Sequence, residues 1–140
     1  MIAIDTNVLL RYLLQDDASQ AAKAQRLITG HERVLVTDVV LVETIWTLRG
    51  KKYALDKEAL VAVLMALFEE ANIRFENGQT VWKALGDYRA AKAVRGKEAD
   101  FADALIIAKA KWLAGAEGEA FGGVYTFDKA AQTLPGAKVP

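Results

Sequence analysis

Residues 2–13, IAIDTNVLLRYL, contain the transition that decides the fold. Residues 2–4 are apolar and predict a short buried strand, and the segment TNVLLRYLLQ that follows has the apolar spacing of a helix. Asp5 stands at the junction between the two. An acid in this position calls for either a capping role or a chemical one.

The composition excludes several kinds of site. The chain has 140 residues, and its 18 basic residues balance 18 acidic ones, so the totals do not indicate a strongly basic nucleic-acid-binding surface. There is no cysteine and one histidine, His31, which excludes disulfides, cysteine-based zinc sites and paired-histidine catalysis. We expect no secretory signal, because the first residues lack a basic region before an apolar run, and the longest apolar run, ALVAVLMALF at residues 59–68, is too short to span a bilayer. We therefore expect a cytoplasmic protein with no membrane segment.

Short apolar segments and helical segments alternate along the whole chain. Strands are predicted at residues 2–4, 33–37, 72–76 and 123–128, with a further edge strand at 137–140. Helices are predicted between them, one of which, TVWKALGDYRAAKA, continues toward Gly96. The last helix, ADFADALIIAKAKWLAG, has an apolar stripe of Phe101, Leu105, Ala108 and Trp112.

This alternation predicts an α/β fold. Parallel strands need helical crossovers to connect them, and helices then cover both faces of the sheet. We expect an α/β/α sandwich with a central, mainly parallel sheet of four to five short strands, in a single domain of residues 1–140. Ligands of such folds lie beyond the carboxyl ends of the strands.

Acids dominate the positions where that rule places the chemistry. Asp5 closes the first strand, Glu43 lies early in the helix after the second, and Asp128 ends the strand VYTF. Asp100 and Asp103 open the last long helix, one turn apart. These acids come from distant parts of the sequence, and we expect them to meet at one edge of the sheet.

The apolar surroundings of the acids suggest what they bind. A carboxylate inside IAIDTN, VVLVETI or DFADALII is costly if it is buried without a partner, and these segments contain no lysine or arginine. Several carboxylates brought together without cations would repel one another. Mg²⁺ or Mn²⁺ is the simpler partner, since both favour carboxylate and water oxygens. Such a site points to phosphodiester hydrolysis, in which a divalent ion activates a water molecule.

Each acid also has a purely structural interpretation. Asp5 and Asp100 are well placed to cap helices, and Asp128 to begin the turn FDKAA. Capping and metal binding are compatible. Glu43 is the hardest to explain in this way, because its helix is apolar on both sides.

Four segments, taken together, resemble a known family. IDTNVLLRYL, VETIWTL, ADFADALIIAKA and VYTFDKAA are similar to the PIN-domain ribonucleases, in particular the VapC toxins of bacterial toxin–antitoxin pairs. The segments occur in the family's order and span nearly the whole chain. Their ordered combination carries the resemblance, since DTN alone would be weak.

The resemblance implies a role for individual residues. The catalytic and metal-binding acids would be Asp5, Glu43, Asp103 and Asp128. Asp100 matches an additional acid that many VapC-like proteins carry one helical turn earlier, and the relative roles of Asp100 and Asp103 stay open. The supporting polar residues, which orient carboxylates or water, would be Thr6, Asn7 and Thr126.

The resemblance also implies an activity and partners. It implies a Mg²⁺- or Mn²⁺-dependent endoribonuclease toxin that blocks translation by cutting structured RNA, such as tRNA or ribosomal RNA. A cognate VapB-like antitoxin would cover the active site, and the toxin would form a homodimer. The run at residues 59–68 is apolar nearly all round, which fits either a partner-facing helix or a central core helix.

Two groups of basic residues are candidates for holding the RNA backbone. One follows the helix of Glu43, and the other precedes the helix of Asp103; the two groups comprise Arg49, Lys51 and Lys52, and Arg89, Lys92, Arg95 and Lys97. A solvated helix face is the alternative for both groups.

Two rival functions from other classes remain. One is a metal-dependent phosphatase of another α/β family, similar to the haloacid dehalogenases, although those carry a second acid where this chain has Asn7. The other is a non-catalytic PIN-like binding module whose pocket receives an arginine from a partner protein.

Overall fold

The computed structural model describes all residues from 1 to 140, and the chain divides into two compact units. Residues 1–76 form the N-terminal unit and residues 77–140 form the C-terminal unit. None of the helices is both long and apolar enough to cross a membrane. The protein has a mixed α/β fold with parallel strand pairing and six α-helices, which confirms the predicted fold class.

The N-terminal unit is built on a parallel sheet of three short strands. Its elements are β1 (Ile2–Ala3), α1 (Thr6–Leu14), α2 (Ala18–Ile28), β2 (Val34–Val36), α3 (Asp38–Arg49), α4 (Lys57–Glu69) and β3 (Ile73–Phe75). The strand order is β1-β2-β3, with Ile2 opposite Val34 and Val34 opposite Ile73. Helical crossovers join the strands, as parallel pairing requires.

The central position of β2 in the sheet explains why its valines are buried. Val34 and Val36 are both 0% exposed, as expected for a strand with a neighbour on each side. The amide of Asn72, just before β3, donates hydrogen bonds to the carbonyl oxygens of Ile28 (3.0 Å) and Gly30 (2.7 Å). Asn72 thereby satisfies carbonyl groups at the end of α2 that have no partner within the helix.

Helix α4 contains the long apolar run of residues 59–68. Leu60, Leu64 and Leu67 form a stripe that is at most 1% exposed, whereas Met65 is only half-buried. The ring of Phe68, also half-buried, lies 4.7 Å from that of Phe75 in β3. The helix therefore serves the core of its own unit through one face.

The C-terminal unit is organised around two packed helices, α5 (Gly78–Ala90) and α6 (Phe101–Ala116). The buried rings of Tyr88 and Phe101 meet edge to face, with their centroids 6.0 Å apart. Two short strands follow, β4 (Val124–Tyr125) and β5 (Ala137–Lys138), joined by a 3₁₀ turn at Ala131–Thr133. They pair in parallel as a separate two-stranded sheet.

Several details differ from the sequence prediction. The five predicted strands are present, but they form sheets of three and two strands rather than one. Helix α5 ends at Ala90 instead of continuing toward Gly96, because Ala91 is extended and Val94 and Lys97 exchange backbone hydrogen bonds. Trp112 is 45% exposed and does not complete the buried stripe of α6.

Candidate functional site

Asp5 lies beyond the carboxyl end of β1 and is the N-cap of α1. Its backbone is extended, and its Oδ1 atom accepts a hydrogen bond from the backbone N–H of Val8 at 2.9 Å. The side chain is exposed, and its second oxygen, Oδ2, has no hydrogen-bond partner in the protein. The capping interpretation is therefore correct, and it uses only one of the two carboxylate oxygens.

Glu43 lies in the second turn of α3, whose N-cap is Thr37. Its carboxylate is exposed and has neither a hydrogen bond nor an ion pair, while its backbone oxygen accepts a hydrogen bond from the hydroxyl of Thr47 at 2.8 Å. The following residue, Thr44, is buried, and its hydroxyl has no partner. The carboxylate of Glu43 therefore points to solvent without a partner, although the next residue of the helix is buried.

Two further acids of the N-terminal unit, Asp38 and Glu76, were not among the predicted site residues. Asp38 begins α3 after β2, and Glu76 directly follows β3. Oε2 of Glu76 accepts a hydrogen bond from the backbone N–H of Asp38 at 2.6 Å. An acid therefore follows each of the three parallel strands, at the edge where ligands of such sheets bind. The same signal that identified Asp5, an acid directly after a strand, would have identified both.

Asp100 and Asp103 form the start of α6 in the C-terminal unit. Asp100 is the N-cap, and its backbone N–H donates a hydrogen bond to Oδ2 of Asp103 at 3.1 Å. Both residues are half-buried. This is the reciprocal arrangement of a capping box, so the two acids have a shared structural role at the positive end of the helix.

Asp128 lies in the turn after β4 and is held from several sides. Its Oδ1 accepts hydrogen bonds from the backbone N–H groups of Ala130 (2.9 Å) and Ala131 (3.0 Å). Its Oδ2 lies 3.2 Å from Nζ of Lys97. The hydrogen bond from Ala131 is the largest of the effects that lower the pKa of Asp128, and Lys97 adds to it, against the opposing effect of burial.

Thr126 supports the turn that holds Asp128. Its Oγ1 accepts a hydrogen bond from the backbone N–H of Asp128 at 3.1 Å. The two other predicted supporting residues, Thr6 and Asn7, begin α1, and the side chains of neither form a hydrogen bond with Asp5 or Glu43.

The surroundings of three acids differ from what the sequence suggested. Asp5 and Glu43 are exposed although their neighbours in the chain are apolar, because the strand end and the helix surface turn these two side chains to solvent. Asp128 has a basic partner, Lys97, and this pair was not predicted. No spacing in the sequence signals this pair, since it depends on the packing of the C-terminal unit.

The seven predicted RNA-binding residues are all exposed, and one of them, Lys97, pairs with Asp128: Arg49, Lys51, Lys52, Arg89, Lys92, Arg95 and Lys97. Arg49 and Arg89 lie in the last turns of α3 and α5, where cations are favourable. The ammonium group of Lys52 lies 5.3 Å from the centre of the Tyr53 ring. Their exposure leaves them accessible to phosphate groups.

The donor chemistry fits Mg²⁺ or Mn²⁺, since both prefer carboxylate oxygens. Oδ2 of Asp5 and the carboxylate of Glu43 have no competing partner, whereas Asp128 is engaged by Lys97. Neither unit on its own contains a group of three or more His, Cys, Asp or Glu side chains placed to hold a metal ion.

Residues 2–134 match the protein family described as PIN domain, so the match covers most of the chain and runs through both units. No curated protein matches the chain.

Proposed function

This chain belongs to the PIN domain family, and on that premise we propose that it is a Mg²⁺- or Mn²⁺-dependent endoribonuclease that cuts structured RNA, such as tRNA or ribosomal RNA, and so blocks translation. PIN domains are generally nucleases that use divalent metals. The observation that carries the proposal is the carboxylate of Asp5, which lies at the carboxyl end of β1 with one oxygen uncommitted.

We assign the chemistry to the acids that match the family's pattern. Asp5, Glu43, Asp103 and Asp128 bind the metal and act in catalysis, with Asp100 as an additional acid. When bound, a divalent ion lowers the pKa of a water molecule and stabilises the leaving oxygen. Because water is then the nucleophile, the products should carry 5′-phosphate and 3′-hydroxyl ends.

We assign the supporting residues the role of orienting the acids rather than binding the metal themselves. Thr126 holds the backbone of Asp128 by accepting its N–H hydrogen bond, and the N–H groups of Ala130 and Ala131 orient the carboxylate. Thr6 and Asn7 are assigned supporting roles in the first turn of α1. The exposed basic residues that include Arg49 and Arg89 bind the phosphate backbone, so affinity for RNA should fall as the salt concentration rises.

The proposal includes a biological setting. The protein acts as a cytoplasmic homodimeric toxin, and a VapB-like antitoxin neutralises it. The half-buried residues beside the leucine stripe of α4, such as Met65, leave apolar surface that a partner helix would cover. Light scattering of the purified protein tests the dimer, and co-purification with the product of a neighbouring gene tests the antitoxin.

Cleavage of a mixed tRNA and ribosomal RNA pool tests the catalytic proposal. Wild type is compared with Asp5→Asn and Asp103→Asn in Mg²⁺, in Mn²⁺ and in chelator. Asp56→Asn is the matched control, because Asp56 caps α4 through the backbone N–H of Ala59 just as Asp5 caps α1. We expect metal-dependent cleavage by wild type and Asp56→Asn only.

Two outcomes contradict the proposal. Cleavage that survives both Asp5→Asn and Asp103→Asn would place the chemistry elsewhere. A folded wild-type protein, freed of any antitoxin, that binds RNA without cutting it under any condition would support a non-catalytic binding module instead.

A further inference from the structure

Two aromatic rings beside Asp128 are unusually exposed. Tyr125, in β4, is 62% exposed, and Phe127, just after it, is 85% exposed. Tyr125 is the last residue of β4 and Phe127 lies in the bend that follows it, so the two exposed rings lie two residues apart, on either side of Thr126 in the sequence. A phenylalanine left this exposed forgoes the stabilisation that burial of its side chain would contribute.

The backbone around Phe127 is held firmly although its ring is in solvent. The N–H of Thr126 donates to the carbonyl oxygen of Lys138 at 3.0 Å, and the carbonyl oxygen of Thr126 accepts from the side-chain amide of Gln132 at 2.7 Å. On the other side, the carboxylate of Asp128 accepts two backbone hydrogen bonds from the turn that follows. The ring therefore projects from a rigid support, which lowers the entropic cost of binding a ligand.

Two lysines lie near these rings, one in the paired strand and one in the sequence. Lys138 is the register partner of Tyr125 across the β4–β5 pair, so the two side chains lie on the same face. A Cβ atom on Gly123 would come within 2.9 Å of Cδ of Lys138, which shows that the lysine chain lies over this glycine. Lys129 follows Asp128 directly, and neither Lys129 nor Lys138 is paired with a carboxylate.

We propose that Tyr125 and Phe127 form a stacking surface for unpaired RNA bases, with Lys129 and Lys138 binding the adjacent phosphates. Every base has a flat face that stacks on an aromatic ring, whereas the bases of a duplex are already stacked, so the surface selects single-stranded segments without reading their sequence. This inference rests on the proposed function and extends it: the enzyme would act on loops or unpaired ends of its RNA, presented next to Asp128.

Binding of RNA by full-length variants tests the stacking surface. Affinity is measured by fluorescence anisotropy for a labelled uridine-rich single strand and for a duplex of the same length. The measurements are made in the Asp5→Asn background with Mg²⁺, so that the RNA stays uncut. The variants are Phe127→Leu and Tyr125→Leu, which keep apolar bulk without a ring, and Phe127→Tyr, which keeps the ring. Trp112→Leu is the control, because it removes an exposed ring from α6.

We expect each leucine variant at positions 125 and 127 to bind the single strand about tenfold more weakly, with duplex binding unchanged. Phe127→Tyr and Trp112→Leu should bind as the parent does. The inference is overturned if the parent does not bind the single strand, if both leucine variants bind it normally, or if they weaken duplex binding equally. It is also overturned if they change the oligomeric mass instead of RNA affinity, since the rings would then contact protein.

The outcome is separable from that of the nuclease proposal. Metal-dependent cleavage by wild type, together with normal single-strand binding by both leucine variants, would remove the stacking surface and leave the nuclease intact. Ring-dependent binding without any cleavage by wild type would support the stacking surface and remove the nuclease.

Discussion

Replacement of Asp5 separates its structural role from its chemical one. Asn is about as good an N-cap as Asp, so Asp5→Asn should keep the hydrogen bond to the N–H of Val8 and lose only a favourable charge at the helix N-terminus, worth about 0.3–1 kcal/mol. Asp5→Ala removes the cap as well, and should cost about 1 kcal/mol. Both variants should lose RNA cleavage, because both lack the carboxylate that we assign to the metal.

The cost in thermal stability follows from the size of the chain. An unfolding entropy of about 2.1 cal/mol/K per residue gives about 0.3 kcal/mol/K for 140 residues, so a loss of about 1 kcal/mol lowers Tm by about 3 °C. Differential scanning calorimetry should find this decrease in Asp5→Ala, and a smaller one in Asp5→Asn.

Asp56 provides the matched comparison, because its Oδ1 accepts from the N–H of Ala59 at 2.9 Å, the same distance as in the Asp5 cap. Asp56→Ala should lower Tm by the same amount and leave cleavage unchanged. If Asp5→Asn cleaved RNA at the wild-type rate with Tm unchanged, Asp5 would be only a cap. If Asp56→Ala lost activity in parallel with Asp5→Ala, instability rather than chemistry would explain both losses.

Three further predictions concern stability. Burial, and after it the carboxylate of Glu70, raises the pKa of Tyr12. The unfolded chain therefore ionises first, and the folded state loses stability as the pH rises above about 10. Tyr12→Phe should lose less free energy of unfolding than wild type in urea titrations above that pH. Thr44→Val removes a buried hydroxyl without a partner and should keep or raise the free energy of unfolding, by up to about 1 kcal/mol, in urea. Gly136→Ala should lower the free energy of unfolding by about 1–3 kcal/mol, because Gly136 has φ +90° and a Cβ there would lie 2.9 Å from Cγ2 of Ile107. An unchanged midpoint of urea unfolding would refute the clash.

Local signals in the sequence predicted much of the fold. The caps of α1 at Asp5 and of α6 at Asp100 were both predicted, because caps depend on residues within one turn of the helix end. The end of α5 was misplaced, because it depends on the bridge between Val94 and Lys97 rather than on any helix-breaking residue.

The sequence by itself determined where the acids lie along the secondary structure. Its apolar periodicity places Asp5 between the first strand and the first helix, and Asp103 in the first turn of the last long helix. Only the tertiary structure decided how those acids are used. Whether a carboxylate is buried, and whether it meets a cation, depends on packing between distant segments: Glu43 faces solvent, and Asp128 pairs with Lys97. The exposure of Phe127 was decided in the same way. The backbone beside it is held by residues distant in the sequence: the side-chain amide of Gln132 donates to the carbonyl oxygen of Thr126, and the carbonyl oxygen of Lys138 accepts from the N–H of Thr126.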